Sequence, residues 1–313
     1  MLISICVPLH NEAEGIQIFY ESLLKVLKRM NKKFEIVFVD DGSGDDTVKN
    51  LKKVIKKDAK IKTRLLVLSR NFGKENALFA AVEKASGDAV IMLDGDGQHP
   101  VALIPDFIKK WEDSDANIVI GLRTENKSAG FLKNFGSKVY TKLVVGNIEN
   151  GARFTDYCLI EKAVKEEFLR FGEHSRNNRQ IISALGFQRE FIEFKALPRE
   201  AGEASYSGIK LMKLFFNSLI TNTVRPLYLS LFLGIFTSAV SFVLGLFVLI
   251  EQFAMADPLQ MKFSGVACLS IMLIFLVGIV FIFIGILSVY LSSIHHDTLN
   301  RPLYIVDKSK SII

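Results

Sequence analysis

The sequence predicts an α/β fold with a mostly parallel sheet, attached to a pair of membrane-spanning helices. Three observations predict it. Short apolar runs alternate with amphipathic stretches of helix length from residue 3 to residue 120, the pattern of a sheet covered by helices. Polar, glycine-bearing clusters follow four successive strand runs, where an open α/β sheet binds its ligands. Two stretches, 226–250 and 263–294, contain no charged residue, and each exceeds the ~20 apolar residues that cross a bilayer.

The elements follow in order. Residues 3–7 read as a strand and 12–30 as an amphipathic helix. A second strand is expected at 34–39 with a helix over about 45–57, then a third strand at 64–68 with a helix over 74–84. The fourth strand, 89–93, is entered from the turn pair Gly87-Asp88 and precedes a helix over 100–111; 117–120 reads as a fifth strand. The pattern beyond it is less regular.

The four polar clusters lie on one rim of the predicted sheet. Pro8-Leu9-His10-Asn11-Glu12 follows the first strand, and Asp40-Asp41-Gly42-Ser43 with Gly44-Asp45-Asp46-Thr47 follows the second. Ser69-Arg70-Asn71-Phe72-Gly73-Lys74 follows the third, and Asp94-Gly95-Asp96-Gly97-Gln98-His99-Pro100 the fourth. One such cluster is an ordinary loop, whereas four on one rim describe a site. In an extended backbone Asp94 and Asp96 would point the same way. Two hard carboxylates so placed suit Mg²⁺ or Mn²⁺, and Gly95 and Gly97 leave room for a bulky group such as a metal-bridged diphosphate. A polar turn closing the strand is the alternative. Neither G-x-G-x-x-G nor G-K-[ST] occurs, so the dinucleotide fingerprint and the P-loop are excluded.

Composition narrows the partners. Half of the 313 residues are hydrophobic and the net charge is +6. That balance suits a surface resting on anionic lipid better than a nucleic-acid binder, since no aromatic-basic RNA motif appears. The three cysteines are scattered, offering no metal cluster and suiting a reducing compartment. Residues 2–7 are too short for a signal peptide and lack a basic leader, so the first two thirds are expected in the cytosol. Lys210, Lys213 and Arg225 precede the first apolar run, and Arg301, Lys308 and Lys310 follow the second. The intervening loop holds only Glu251, Asp257 and Lys262. The positive-inside rule then puts both ends in the cytoplasm of a multi-pass inner-membrane protein. Glycines and serines in the spans would let copies pack into a homo-oligomer.

Val7-Pro8-x-x-Asn11-Glu12, Val39-Asp40-Asp41-Gly42-Ser43, Ser69 to Lys74 and Asp94-x-Asp96-x-Gln98-His99-Pro100, in this order and spacing, resemble the family 2 glycosyltransferases. The likeness is closest to the polyprenyl-phosphate glycosyltransferases, the group similar to dolichol-phosphate-mannose synthase, and runs over 3–294. It implies a GT-A (Rossmann-like) domain over 1–206, an interfacial helix at 207–225, a two-helix membrane hairpin at 226–294 and a cytoplasmic tail at 295–313. The activity implied is inverting transfer of one sugar from a nucleotide-sugar, UDP- ahead of GDP-linked, to a polyprenyl (undecaprenyl) phosphate. Such a lipid-linked sugar would serve cell-envelope glycan modification.

Carried over residue by residue, the resemblance makes Pro8, His10, Glu12, Asp41, Asp94, Gly95 and Asp96 contacts of the nucleotide-sugar. Asp94, Asp96 and Gln98 would hold Mg²⁺ or Mn²⁺, acting as a Lewis acid on the leaving diphosphate. Asp156, in Asp156-Tyr157-Cys158-Leu159, takes the place of the family's Asp-Phe-Arg-Leu carboxylate. It would serve as base or acceptor positioner, a catalytic role shared with Asp96. A base is needed little, because a phosphate monoester with a second pKa near ~6 is already ionised at neutral pH. Holding two anions together needs cations, and Arg176, Arg179 and Arg199 are the candidates. Two departures remove positive charge: Cys158 replaces the family's arginine, and Ala204-Ser205-Tyr206-Ser207 lacks the lysine of Ser-Lys-Tyr-Ser.

Residues 131–145 and 207–223 place apolar side chains at helical spacing among lysines, the pattern of helices lying on lipid headgroups. For the first, a helix packed on the sheet is the alternative. Two rival functions remain open: a processive polysaccharide synthase, whose Gln-x-x-Arg-Trp motif is missing because the only Trp is Trp111, and an inert membrane scaffold keeping the fold.

Overall fold

A computed structural model describes residues 1–57, 60–124, 154–173, 176–195, 265–299 and 301–312, with the single positions 236 and 243. The chain divides into two compact units, Met1–Ser205 together with Arg301–Ile313, and Tyr206–Asn300. Arg199, the helical patterns at 131–145 and 207–223 and most of the apolar run at 226–250 lie outside the described residues.

The first unit is a doubly wound α/β sandwich. Its strands are β1 (Leu2–Leu9), β2 (Lys33–Asp40), β3 (Lys62–Val67), β4 (Ala89–Met92), β5 (Ile118–Arg123), β6 (Phe154–Glu161) and β7 (Arg189–Phe194). They form one seven-stranded sheet in the order β3-β2-β1-β4-β6-β5-β7. The helices are α1 (Ile16–Leu27), α2 (Thr47–Lys57), α3 (Lys74–Lys84), α4 (Ile104–Glu112), α5 (Lys162–Arg170) and α6 (Asn178–Ala184), with a 3-10 turn at Val101–Leu103 before α4. The five expected strands and four expected helices all form, with ends displaced by a few residues.

β1 and β2 are buried at every position but the first, which is why they read as near-continuous apolar runs rather than alternating ones. Ile3, Ile5 and Val7 face one layer with α1, α2 and α4. Cys6, Val37 and Val39 face the other with α3, α5 and α6. β1 pairs in parallel with β2 and β4, and β2 with β3. The sheet departs from parallel at β6, which runs antiparallel between β4 and β5 and pairs Met92 with Cys158 and Ile120 with Cys158. The sheet is therefore mixed. Burial pushes the Cys158 thiol pKa up, and Cys158 belongs to the core at the position of the family's arginine.

The last residues of the chain belong to the first unit. They bridge the edge strand β3 at Leu65–Ile312 and pair Leu68 with Val306, both antiparallel. Ser69 N donates to Ile305 O at 2.8 Å, and Ile312 N to Leu65 O at 2.7 Å. Tyr304 sets its ring against Phe79, 6.5 Å between centroids, and donates to Glu83 at 2.8 Å. The segment covers a sheet edge that would otherwise expose unpaired backbone. Deleting 302–313 should therefore cost about 3 kcal/mol in lost hydrogen bonds and apolar burial. A thermal melt of the purified protein should show that loss as a drop of roughly 6–12 °C; an unchanged midpoint would refute the stabilising role.

In the second unit, α7 (Gly265–Thr298) is a single helix of 34 residues. Counted over the described residues alone, no helix is long and apolar enough to cross a membrane, and α7 has described side chains at only part of its length.

Candidate active site

The site is assembled where β1, β2, β3, β4 and β6 meet their loops. His10, just past β1, ties three of these loops together. Its Nδ1 lies 3.0 Å from the Asp41 carbonyl, and its Nε2 lies 3.2 Å from the amide nitrogens of both Asn11 and Asn71. With Nε2 accepting from the two side-chain amides, Nδ1 donates to the Asp41 carbonyl. Asn11 adopts φ 55°, a left-handed conformation that asparagine tolerates. Gly42 is required: at φ +65° a Cβ there would stand 2.4 Å from the Arg70 carbonyl carbon.

The two aspartates ending β2 serve the loops themselves. Asp40 accepts from the amide and hydroxyl of Ser43 at 3.0 and 2.5 Å. Asp41 accepts from the amides of Phe72 and Gly73 at 2.7 and 2.9 Å. Asp41 thus fixes the loop that delivers Lys74. Glu12 is anchored through its amide, which donates to Thr47 at 2.8 Å. Pro8 is buried at the end of β1. A cavity of ≈ 510 Å³ opens beside this rim, lined by Asp40, Gly42, Ser43 and Arg70 and, from the terminal segment, Lys310.

Past β4 the backbone turns at Gly95-Asp96 rather than staying extended, so Asp94 and Asp96 take different environments. Asp96 accepts from the Gln98 amide at 3.0 Å. The Asp94 amide donates to His99 Nδ1 at 3.0 Å. That contact leaves the proton on Nε2, and burial lowers the pKa of His99 further. His99 is stacked on Tyr157 at 5.1 Å and meets the Phe194 ring edge-on at 5.8 Å. A rigid aromatic stack therefore holds the backbone of Asp94. Gly95 is bare for a packing reason: a Cβ there would meet Leu9 Cδ2 at 2.3 Å.

The centre of the site is a chain of charges. Lys74, first residue of α3, places its Nζ 2.8 Å from Asp94 and 2.6 Å from Asp156. Arg179, on α6, grips Asp156 with Nε at 2.8 Å and Nη2 at 3.0 Å. Burial alone would raise the Asp156 carboxyl; the Arg179 hydrogen bonds and the Lys74 ammonium overcome it and hold it well below the usual carboxylate range. Asp156 is therefore a permanent anion that places two cations, and a poor proton acceptor. Burial, and then the charge on Asp156, push neighbouring Glu75 up to about 7. Glu75 accepts from the Asn178 amide at 2.9 Å, docking the start of α6 against α3.

Asp94, Asp156 and Arg179 of the sequence candidates thus converge, with Asp96 and Gln98 two and four residues along the same loop. Arg176 does not join them. It is buried, with its guanidinium 4.1 Å over the Phe79 ring and 5.0 Å over Phe168, a packing role. Lys74, His99 and Tyr157 were not singled out by the sequence reasoning for these contacts. Lys74 had a signal, as the lysine that closes the strand-end cluster Ser69 to Lys74; the stacking on His99 had none.

Among the described residues no group of three His, Cys, Asp or Glu side chains is arranged to hold a metal alone. Asp94, Asp96 and Gln98 supply oxygen donors, and Mg²⁺ commonly takes one or two carboxylates and completes its shell with phosphates and water. The donor set fits a hard divalent ion that binds together with a diphosphate.

The model of the family described as "Glycosyl transferase family 2" matches residues 4–167. A relative from Shigella flexneri, "SfII prophage-derived bactoprenol glucosyl transferase", is 33% identical over 313 residues, covering 99% of this chain and 98% of the relative. The "Prophage bactoprenol glucosyl transferase homolog" of Escherichia coli K12 is 30% identical and covers 99% and 100%. Among solved structures, glucosyl-3-phosphoglycerate synthase from Mycobacterium tuberculosis, crystallised with Mn²⁺, UDP-glucose and phosphoglyceric acid, superposes with a TM-score of 0.51. It is 14% identical over 70% of this chain and 78% of its own; that likeness speaks for the fold. With the strand-end motifs and the carboxylate–cation centre in place, the chain belongs to glycosyl transferase family 2 and is a glycosyltransferase.

Proposed function

We propose that this glycosyltransferase moves a single sugar from a UDP-sugar to a polyprenyl phosphate at the cytoplasmic face of a membrane, with Mg²⁺ or Mn²⁺. The observation that carries the reading is the Lys74–Asp156–Arg179 arrangement beside Asp94: two cations held by one buried carboxylate next to the metal-type loop. It suits an acceptor that is itself an anion. The relatives' printed names supply the acceptor class, a bactoprenol, and make glucose the first sugar to test.

The lipid phosphate oxygen attacks the anomeric carbon as the bond to the diphosphate breaks, and the electron pair leaves with the nucleoside diphosphate. The bound metal would supply Lewis acidity at that leaving group, held by Asp94 and Asp96 with Gln98. Arg179 and Lys74 offset the repulsion between the two phosphates. Asp156 keeps those cations aimed and takes no proton, because the acceptor arrives ionised. Proximity supplies much of the rate.

The membrane reading has its own support. The apolar run at 263–294 coincides with α7, whose backbone of 34 residues is about 51 Å long at 1.5 Å per residue. Leu269, Leu273, Ile282, Leu287 and Leu291 are all more than half exposed along it, an apolar surface that lipid would cover.

Purified protein in detergent, given undecaprenyl phosphate and a panel of labelled UDP- and GDP-sugars, tests the proposal. Label should pass into the organic phase from a UDP-sugar, and EDTA should abolish the transfer. No transfer from any donor would overturn the acceptor assignment, and transfer indifferent to EDTA would overturn the metal.

A further inference from the structure

Asp94 and Asp156 share one ammonium, but their situations differ. Asp156 is almost fully buried, its side chain 2% exposed, and has a second cation in Arg179. Asp94 is 21% exposed and, among the described residues, its charged partner is Lys74. His99 Nε2 stands 3.8 Å away on a ring kept neutral by its other nitrogen. Asp94 is also the carboxylate whose backbone is clamped by that ring, so it keeps its place whichever cation it faces.

Lys74 carries its ammonium on a long stem with freely rotatable bonds. Its main chain opens α3 behind a loop held by Asp41, while its side chain is 43% exposed and flexible. A divalent ion on Asp94 and an ammonium 2.8 Å from the same carboxylate would repel one another strongly at that range. One must yield.

We propose that Lys74 is the resident counter-cation of Asp94, exchanged for the divalent ion that arrives with the nucleotide-sugar. On loading, the ammonium leaves Asp94 and stays on Asp156 beside Arg179, and the N–H it has freed becomes available to a phosphoryl oxygen. The exchange keeps Asp94 charge-compensated at every stage and makes metal binding weak until the diphosphate is present. This inference rests on the metal-dependent reading above and concerns a residue that reading does not need as a metal partner.

The test reads metal binding without turnover. Full-length protein in detergent is titrated with Mn²⁺ in the absence of nucleotide, and the free ion is counted by electron paramagnetic resonance. Lys74→Met and Lys74→Gln, the second able to hydrogen-bond both carboxylates without charge, guard against a variant that fails to fold. Both should bind Mn²⁺ at least about tenfold more tightly than the parent protein, since an opposite charge at this distance changes a carboxylate's proton affinity by roughly 1–3 pKa units. Adding Asp94→Asn to Lys74→Met should erase the gain. Equal or weaker binding in both Lys74 variants would overturn the exchange, as would a gain that survives Asp94→Asn. Parent protein that binds no Mn²⁺ even with UDP present would overturn the metal-dependent reading itself, and the exchange with it.

Discussion

Asp96→Asn should reduce sugar transfer by about 10²–10³-fold, the loss expected when one aimed electrostatic contact to a transition state is removed. The substitution is nearly isosteric. Asp96 accepts from the Gln98 amide at 3.0 Å, and an asparagine carbonyl can accept the same bond, so the turn after β4 survives. What is lost is one negative charge facing the cation. The rate at saturating metal, read beside the thermal midpoint, separates the two effects: activity should collapse while the midpoint moves by no more than about 2 °C, the equivalent of under 1 kcal/mol for a unit of this size. A variant that kept even a tenth of the parent rate would remove Asp96 from the chemistry.

Asp156→Asn should behave differently, losing activity and stability together. Its carboxylate binds Lys74 at 2.6 Å and Arg179 at 2.8 and 3.0 Å, and the neutral amide leaves both cations facing one another. Breaking a buried pair by removing one partner costs roughly 3–5 kcal/mol. The Lys74 and Arg179 side chains are 43% and 48% exposed, so water recovers part of that loss, and about 2–3 kcal/mol is expected. The midpoint should fall by roughly 4–12 °C, and transfer by about 10²-fold or more as the two cations lose their aim.

The pH dependence gives a second reading of the same pair. A carboxylate whose folded-state pKa is depressed contributes stability that is present above its unfolded pKa of ~3.9 and lost as pH falls below it. The gap in midpoint between parent and Asp156→Asn should therefore be full at neutral pH and narrow below about pH 4. A gap that stayed constant into acid would mean that Asp156 stabilises through packing and not through charge. Were Asp156 a general base, it would need a pKa near the working pH; its two cationic partners push it the other way.

The arrangement also bears on the two charges that this chain lacks relative to its family's pattern. The position of the missing arginine is Cys158, a core residue pairing with Met92 and Ile120. Asp156, two residues earlier on the same face of β6, receives its cation from α6 instead, through Arg179. The departure that looked like a loss from the acceptor region is accompanied by an arginine reaching the same carboxylate from another element. The missing lysine at Ser205 lies outside the described residues.

Much of the fold was legible because its first half is local. The first four strand–helix units read from short apolar runs and helical periods, and β1 and β2 were conspicuous because both faces are buried. β6 was not read as a strand. It carries a buried aspartate in Phe154-Thr155-Asp156-Tyr157 and joins the sheet antiparallel after a long connection, so neither alternation nor a strand–helix rhythm marks it. The terminal segment was equally hidden, since Ile305 and Ile312 look like a polar tail's stray apolar residues until they meet β3.

The sequence by itself determined the α/β class, the rim that carries the four polar clusters and the Asp94–Asp96 loop, because each is written in a local period or a contiguous motif; Asp156 entered through the resemblance to the family and Arg179 as one of three candidate cations. Only the tertiary structure decided that Asp41 holds a loop, that Arg176 packs on phenylalanines, that His99 clamps Asp94, and that Lys74 stands between Asp94 and Asp156. The two Lys74 contacts join residues 20 and 82 positions apart, and the Arg179–Asp156 pair beside them residues 23 apart; such separations acquire meaning only when β4, β6, α3 and α6 pack side by side.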